Sequence, residues 1–135
     1  MANQLQLVVY EGYLVADPDM RVTGDGISVV NFRIGSNRSY KNSSGEKTTQ
    51  TTWLKVTAWR GLAEIVGKYC NKGTHVIVQG TLKAGKTGSP TVYELKDGGH
   101  GASYEVTATD VRILTTAAES KSSTAGDIDD SDYGY

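Results

Sequence analysis

The chain has 135 residues, which suits one small domain, and its hydrophobic share of 38% is enough for one core and not for two. No apolar stretch is long enough to span a bilayer, the opening MANQLQLVVYEG lacks the basic start and cleavage site of a signal peptide, and a single cysteine, Cys70, excludes an internal disulfide framework; the expectation is a cytoplasmic, reducing setting. The net charge of −1 argues against a nucleic-acid partner, but residues 1–114 hold 13 Lys/Arg against 10 Asp/Glu, while Glu119, Asp127, Asp129, Asp130 and Asp132 crowd the end against Lys121 alone.

Val/Thr/Tyr-rich runs outnumber helix-favouring ones, so the chain leans to β structure. Residues 5–15, LQLVVYEGYLV, predict a first strand with Leu5, Leu7 and Val9 inward, Val8 and Tyr10 outward, and a bend at Gly12. ADPD at 16–19 is a turn, MRVT at 20–23 a short continuation, and GDG at 24–26 another turn. Residues 27–40 predict a second long strand, with Val30, Phe32 and Ile34 toward the core and Asn31 and Arg33 away from it. KNSSGEKTTQ, 41–50, has no apolar residue and reads as a solvated hairpin loop.

The third strand, 51–60, carries both tryptophans. Alternation puts Leu54, Val56 and Ala58 on one small apolar face, and Trp53, Lys55, Thr57 and Trp59 on the other. A buried face would not carry an unpaired lysine, because desolvating the charge costs too much. Rings interleaved with cations suit single-stranded nucleic acid, whose bases stack and whose phosphates need positive partners. The competing reading buries both rings under another sheet or a subunit.

The period then changes. Leu62, Ile65, Val66, Tyr69 and Cys70 predict one amphipathic helix, stopped near Gly73. A fourth strand follows at 74–84 with Val76, Val78 and Leu82 inward. Residues 85–101 are glycine-rich with a β-like piece at Thr91–Leu95, and a fifth strand at 102–114 slips phase near Asp110. From Thr115 the apolar periodicity stops, and the small, polar, acidic run 115–135 reads as a disordered tail. The expected organisation is an all-β domain, 1–114, followed by that tail. Three strands, a helix and two strands is the order of a five-stranded OB-fold barrel with its helix between strands 3 and 4; such a barrel binds oligonucleotides across strands 2 and 3.

The pieces EGYLVADPDMR (11–21), NFRIGSNRSYKNSSGE (31–46), TTWLKVTAWRGLAEIVGKYCNKGTHVIVQGTL (51–82) and YEVTATDVRIL (104–114) resemble the bacterial single-stranded DNA-binding proteins of homotetrameric type. The resemblance implies stacking positions at Tyr40, Trp53 and Trp59, and basic contacts near Arg21, Lys41, Lys55, Arg60, Lys72 and Lys83. It implies coating of single strands in replication, recombination and repair, assembly through the first strand into a homotetramer, and an acidic tail that recruits partner proteins. In KAGKTGSPTVY the family's loop tryptophan is absent, and Tyr93 is the nearest aromatic. Tyr40 has core parity, so a bulge, for which Gly35 is a host, has to turn it outward. The tail ends DIDDSDYGY, keeping acidity and the aromatics Tyr133 and Tyr135 without the family's Ile-Pro-Phe tip.

From geometry alone, Arg33 projects beside the third strand and reaches the same groove. Lys72 follows the helix and also suits a helix C-terminal charge. His75 and His100 have no partners at metal spacing, GKTGS lacks the glycine spacing of a phosphate loop, and no catalytic set is visible, so neither an enzyme nor a cofactor is expected. The rival functions are a primosome-type OB protein and an interaction module with its tryptophans buried in a subunit interface.

Overall fold

The computed structural model describes residues 3–85 and 88–116. The elements in chain order are β1 (Val8–Leu14), β2 (Asp19–Val22), β3 (Ser28–Lys41), β4 (Lys47–Trp59), α1 (Arg60–Tyr69), β5 (His75–Leu82), β6 (Thr91–Glu94) and β7 (His100–Thr115). β3 pairs antiparallel with β4, β4 parallel with β7, β7 antiparallel with β5, β5 antiparallel with β1, and β1 closes back on β3 through Tyr13↔Gly35 and Leu14↔Ile34. Five strands thus form a closed barrel, with β2 added beside β3 and β6 beside β7. The acidic residues of the tail, Asp127 to Asp132, and the two terminal tyrosines lie outside the described residues; β7 itself runs one residue past the expected boundary.

The core follows the alternation of the long strands. Val30, Phe32 and Ile34 of β3 meet Leu54, Val56 and Ala58 of β4, with Val76 and Val78 of β5 and Val106, Ala108 and Val111 of β7. α1 covers this core with a narrow stripe, Ala63, Val66 and Cys70, at helical spacing. The expected face was broader. Ile65 and Tyr69 are exposed, whereas Leu62, partly buried, also packs against the core. Burial pushes the Cys70 thiol up to about 11.

The first strand has the opposite parity to the one expected. Tyr10 lies opposite Val78 and Gly12 opposite Val76, and residues directly opposite on an antiparallel ladder share a face. The even positions therefore turn inward: Leu14 is buried and Val8 packs against the core. Leu7 and Val9 are exposed, and Leu5, 91% exposed, precedes the strand. Tyr10 remains partly exposed along a groove between β1 and β3. Leu82 keeps core parity opposite Val106 but stands past the barrel rim, exposed.

Two further differences concern the long hairpin. The strands extend to Lys41 and resume at Lys47, so the turn is only Asn42–Glu46, tied by the Asn42 carboxamide oxygen accepting from the N–H groups of Ser44 and Glu46. TTQTT has no apolar residue, yet its β-branched threonines favour extended chain. Second, the β3–β4 register is unbroken from Val29↔Trp59 to Lys41↔Lys47, so Gly35 hosts no bulge. The phase slip expected near Asp110 is present: the β5–β7 register jumps between Gln79↔Asp110 and Gly80↔Ala108, and the spare Thr109 donates its hydroxyl to the Gln79 carbonyl at 3.1 Å.

Candidate nucleic-acid interface

The outer face of the barrel is assembled row by row from strand register. Arg33 of β3 lies opposite Lys55 of β4, and Lys55 lies opposite Glu105 of β7. The row continues past the end of β5, where the Lys83 N–H donates to the Glu105 carbonyl at 2.8 Å. One step toward the hairpin tip, Trp53 lies opposite Gly35; on the other side, Trp59 lies opposite Val29, which in turn faces Arg21 of β2. β6 brings a third aromatic to the same face: Thr91 pairs with Ser103 and Tyr93 with Gly101, positions that alternate outward from the core residue Val106.

Part of this face forms a cleft of about 430 Å³ lined by Arg33, Trp53, Lys55, Thr91, Tyr93, Ser103 and Glu105, with Trp59, Arg21 and Lys83 outside its lining. Trp53 and Trp59 are 50% and 45% exposed, so their rings are available on the surface of this chain. Thr57, between them along β4, is buried and donates its hydroxyl to the Asn31 carboxamide oxygen at 2.8 Å. Within the cleft, Lys55 Nζ stands 3.9 Å from Glu105 Oε1, and the Thr91 hydroxyl donates to Glu105 Oε2 at 2.8 Å. Arg33 and Lys83 take part in no ion pair among the described residues.

The remaining expected contacts are spread wider. Arg21 shares the tryptophan face and is paired with Asp19 at 3.0 Å. Arg60 follows Trp59 directly, with a left-handed backbone at φ 59 where the strand turns into α1. Lys41 lies opposite Lys47 near the hairpin tip. Tyr40, opposite Thr48, is exposed but keeps the parity of Phe32 and Ile34, so it projects from the other side of the ladder. Lys72 is not brought into the set: its N–H donates to Asp17 at 2.8 Å in the corner between α1 and β5. Sequence reasoning missed Glu105, Thr91 and Ser103. Their signal was the parity of YEV at 104–106, which points Glu105 outward once Val106 is assigned to the core.

Among the described residues no group of three or more His, Cys, Asp or Glu side chains could hold a metal ion, and no helix is long and apolar enough to cross a membrane.

A closed five-stranded barrel with one helix, carrying rings and cations on the adjacent long strands β3 and β4, defines an OB-fold binding domain. Residues 3–114 match the Single-strand binding protein family, and the chain belongs to that family, whose members are non-enzymatic. It is 34% identical over 114 residues to a single-stranded DNA-binding protein of Chlorobaculum tepidum, covering 84% of this chain and 67% of that one. It is 37% identical over 114 residues to Single-stranded DNA-binding protein B of Bacillus subtilis, covering 84% and 91%. The relative in Neisseria meningitidis is longer, and the chain spans 60% of it at 31% identity. Among solved structures, the Plasmodium falciparum protein in complex with single-stranded DNA shares the fold at a TM-score of 0.70 and 19% identity, over 85% of this chain and 99% of that one. A deletion mutant of the Thermus aquaticus single-stranded DNA-binding protein superposes at 0.65 with 26% identity, over 85% and 53%.

Proposed function

We propose that the protein binds single-stranded DNA across the outer face of β3 and β4, without strong sequence preference. The observation that carries this reading is the cleft itself. Three strand pairings, β3–β4, β4–β7 and β6–β7, bring Trp53, Tyr93, Arg33 and Lys55 to one place, although they are scattered over 61 positions of sequence, 33 to 93. Each stacked base contributes about 1–3 kcal/mol on such a ring, and every base has a π-face, so affinity arises without reading sequence. Arg33, Lys55 and Lys83 supply phosphate contacts along one row, with Arg21, Arg60 and Lys41 extending the track.

The wider role follows from the same reading. The protein coats single strands during replication, recombination and repair in the bacterial cytoplasm and nucleoid. It assembles as a homotetramer through the apolar surface that Leu5, Leu7 and Val9 leave exposed on β1 and the residues before it. The acidic tail, with Asp127, Asp129, Asp130, Asp132, Tyr133 and Tyr135, recruits partner proteins.

Tryptophan emission during titration with poly(dT), with duplex DNA as control, tests the binding. Strong quenching by the single strand alone is expected, and its loss in Trp53→Ala with the assembly intact. No quenching in a folded protein would refute it. Light scattering at four times the 14.5 kDa chain mass is expected for the assembly.

A further inference from the structure

We propose that Gly35 and Gly101 are positioning residues, each forming the bare floor on which a stacking ring lies flat; this rests on the single-strand reading of the cleft. The two aromatic residues that border the cleft share one arrangement. Trp53 is the cross-strand partner of Gly35, and Tyr93 is the cross-strand partner of Gly101. A Cβ on Gly35 would stand 2.9 Å from Cζ3 and 3.3 Å from Cε3 of Trp53. A Cβ on Gly101 would stand 2.6 Å from both Cε2 and Cζ of Tyr93. Carbon atoms in contact sit about 3.5–4.0 Å apart, so each ring occupies the space a side chain would take.

The backbone itself makes no such demand. Neither glycine has a positive φ, and the nearest atoms to each missing Cβ belong to the ring alone. Gly12 is different in kind: its nearest neighbour is the Gly35 carbonyl oxygen at 2.5 Å, a backbone atom in the seam that closes the barrel. On this proposal one side of each ring lies against backbone and the other faces out. Exposures of 50% for Trp53 and 46% for Tyr93 are those of half-covered rings. A ring held this way loses little freedom when a base stacks on it.

An aromatic over a strand glycine also stabilises a sheet, and the test separates the two roles. In the full chain, Gly35→Ala and Gly101→Ala are compared with wild type for thermal midpoint and for affinity to a labelled dT oligonucleotide. The Trp53 environment is read without DNA, by near-UV circular dichroism and acrylamide quenching in a Trp59→Phe background. Gly35→Ala is expected to keep its thermal midpoint, raise the quenching of Trp53, and bind about fivefold more weakly, the low end of one stacked base. Gly101→Ala is expected to weaken binding similarly, and Gly12→Ala to lose thermal stability instead. Unchanged affinity in both ring-floor variants, or weaker binding with an unchanged Trp53 signal, overturns the proposal. So does failure of both variants to fold, which would assign the glycines to the backbone. If Trp53→Ala binds like wild type, the single-strand reading fails, whereas the Trp53 signal in Gly35→Ala still decides whether the floor holds the ring.

Discussion

Glu105→Gln removes the one carboxylate that lines the cleft among the described residues, and it should tighten DNA binding. The Lys55 ammonium, 3.9 Å away and half exposed, is partly neutralised by this group. A phosphate held by Lys55 would approach Glu105 to roughly 7 Å, where two like charges repel by about 0.6 kcal/mol in water and about 2.4 kcal/mol at an effective dielectric of about 20. Glu105 is only 12% exposed while Lys55 is 49% exposed, so the working value lies between these limits. Screening trims it further. A gain of about 1 kcal/mol, roughly fivefold in affinity at about 0.1 M salt, is expected. Relieving Lys55 of its partial neutralisation should steepen the log–log salt dependence, by at most about 0.7. Glutamine keeps an acceptor for the Thr91 hydroxyl, and an ion pair this long, with its lysine half exposed, contributes at most about 1 kcal/mol to folding. Anisotropy titrations with a dT oligonucleotide over a salt series supply both numbers. Equal or weaker affinity with superposable salt slopes, in a variant of wild-type thermal midpoint, would show that Glu105 does not oppose the bound strand.

Arg60→Gly removes a side chain from a left-handed backbone position, so it should raise stability by about 1 kcal/mol, while a lost phosphate contact weakens DNA binding; urea melts and titrations of one variant reveal the opposite signs. Ile34→Ala, at a fully buried position in the β1–β3 seam, should cost about 2–5 kcal/mol in the same melts. The Cys70 thiol ionises near pH 9.0 when exposed and near 11 when buried. Unfolded chains therefore release its proton first, so the stability linked to this group is full below about pH 9 and falls as pH rises toward 11. Cys70→Ala should flatten that segment of the stability profile relative to wild type, and parallel profiles would refute the assignment.

Much of the barrel was legible because β3 and β4 are strongly patterned. VVNFRI and WLKVTAW alternate without interruption, and the structure buries Val30, Phe32, Ile34, Leu54, Val56 and Ala58 as that alternation requires. The first strand was not legible in the same way. LQLVVY is apolar at both parities, so only pairing with Val76 and Val78 of β5 decides which side faces in. α1 misled for a related reason: Ile65 and Tyr69 satisfy the helical period, yet it is Ala63, Val66 and Cys70, with Leu62, that meet the core. Trp53, Lys55 and Arg33 could be placed together from neighbouring strands. Glu105 could not, since the parallel β4–β7 pairing that puts it beside Lys55 joins segments 50 positions apart. Tyr40 depended on a bulge that local sequence could suggest and only the ladder could exclude.

The unbroken β3–β4 ladder has a mechanical consequence. β1 meets β3 at Leu14↔Ile34 and Tyr13↔Gly35, and β7 meets β4 from Leu54 onward. Beyond these points, the strand ladder among the described residues joins residues 36–41 to 47–52 and to no third strand. They form an arm two strands wide, held by backbone pairing, the Asn42 turn and polar bridges such as Thr51 to Asn37 at 2.6 Å. A ribbon of two strands without a core of its own is barely stable in water, so its amides should exchange with solvent through local fraying while those of the barrel wait for global opening. Trp53 stands at the root of this arm, while Lys41 rides near its tip on the same face and Tyr40 on the opposite one. On the proposed binding surface a stiff anchor would then join a compliant lever, and a DNA strand seated at the root should be followed by the arm as its path bends, without disturbing the barrel.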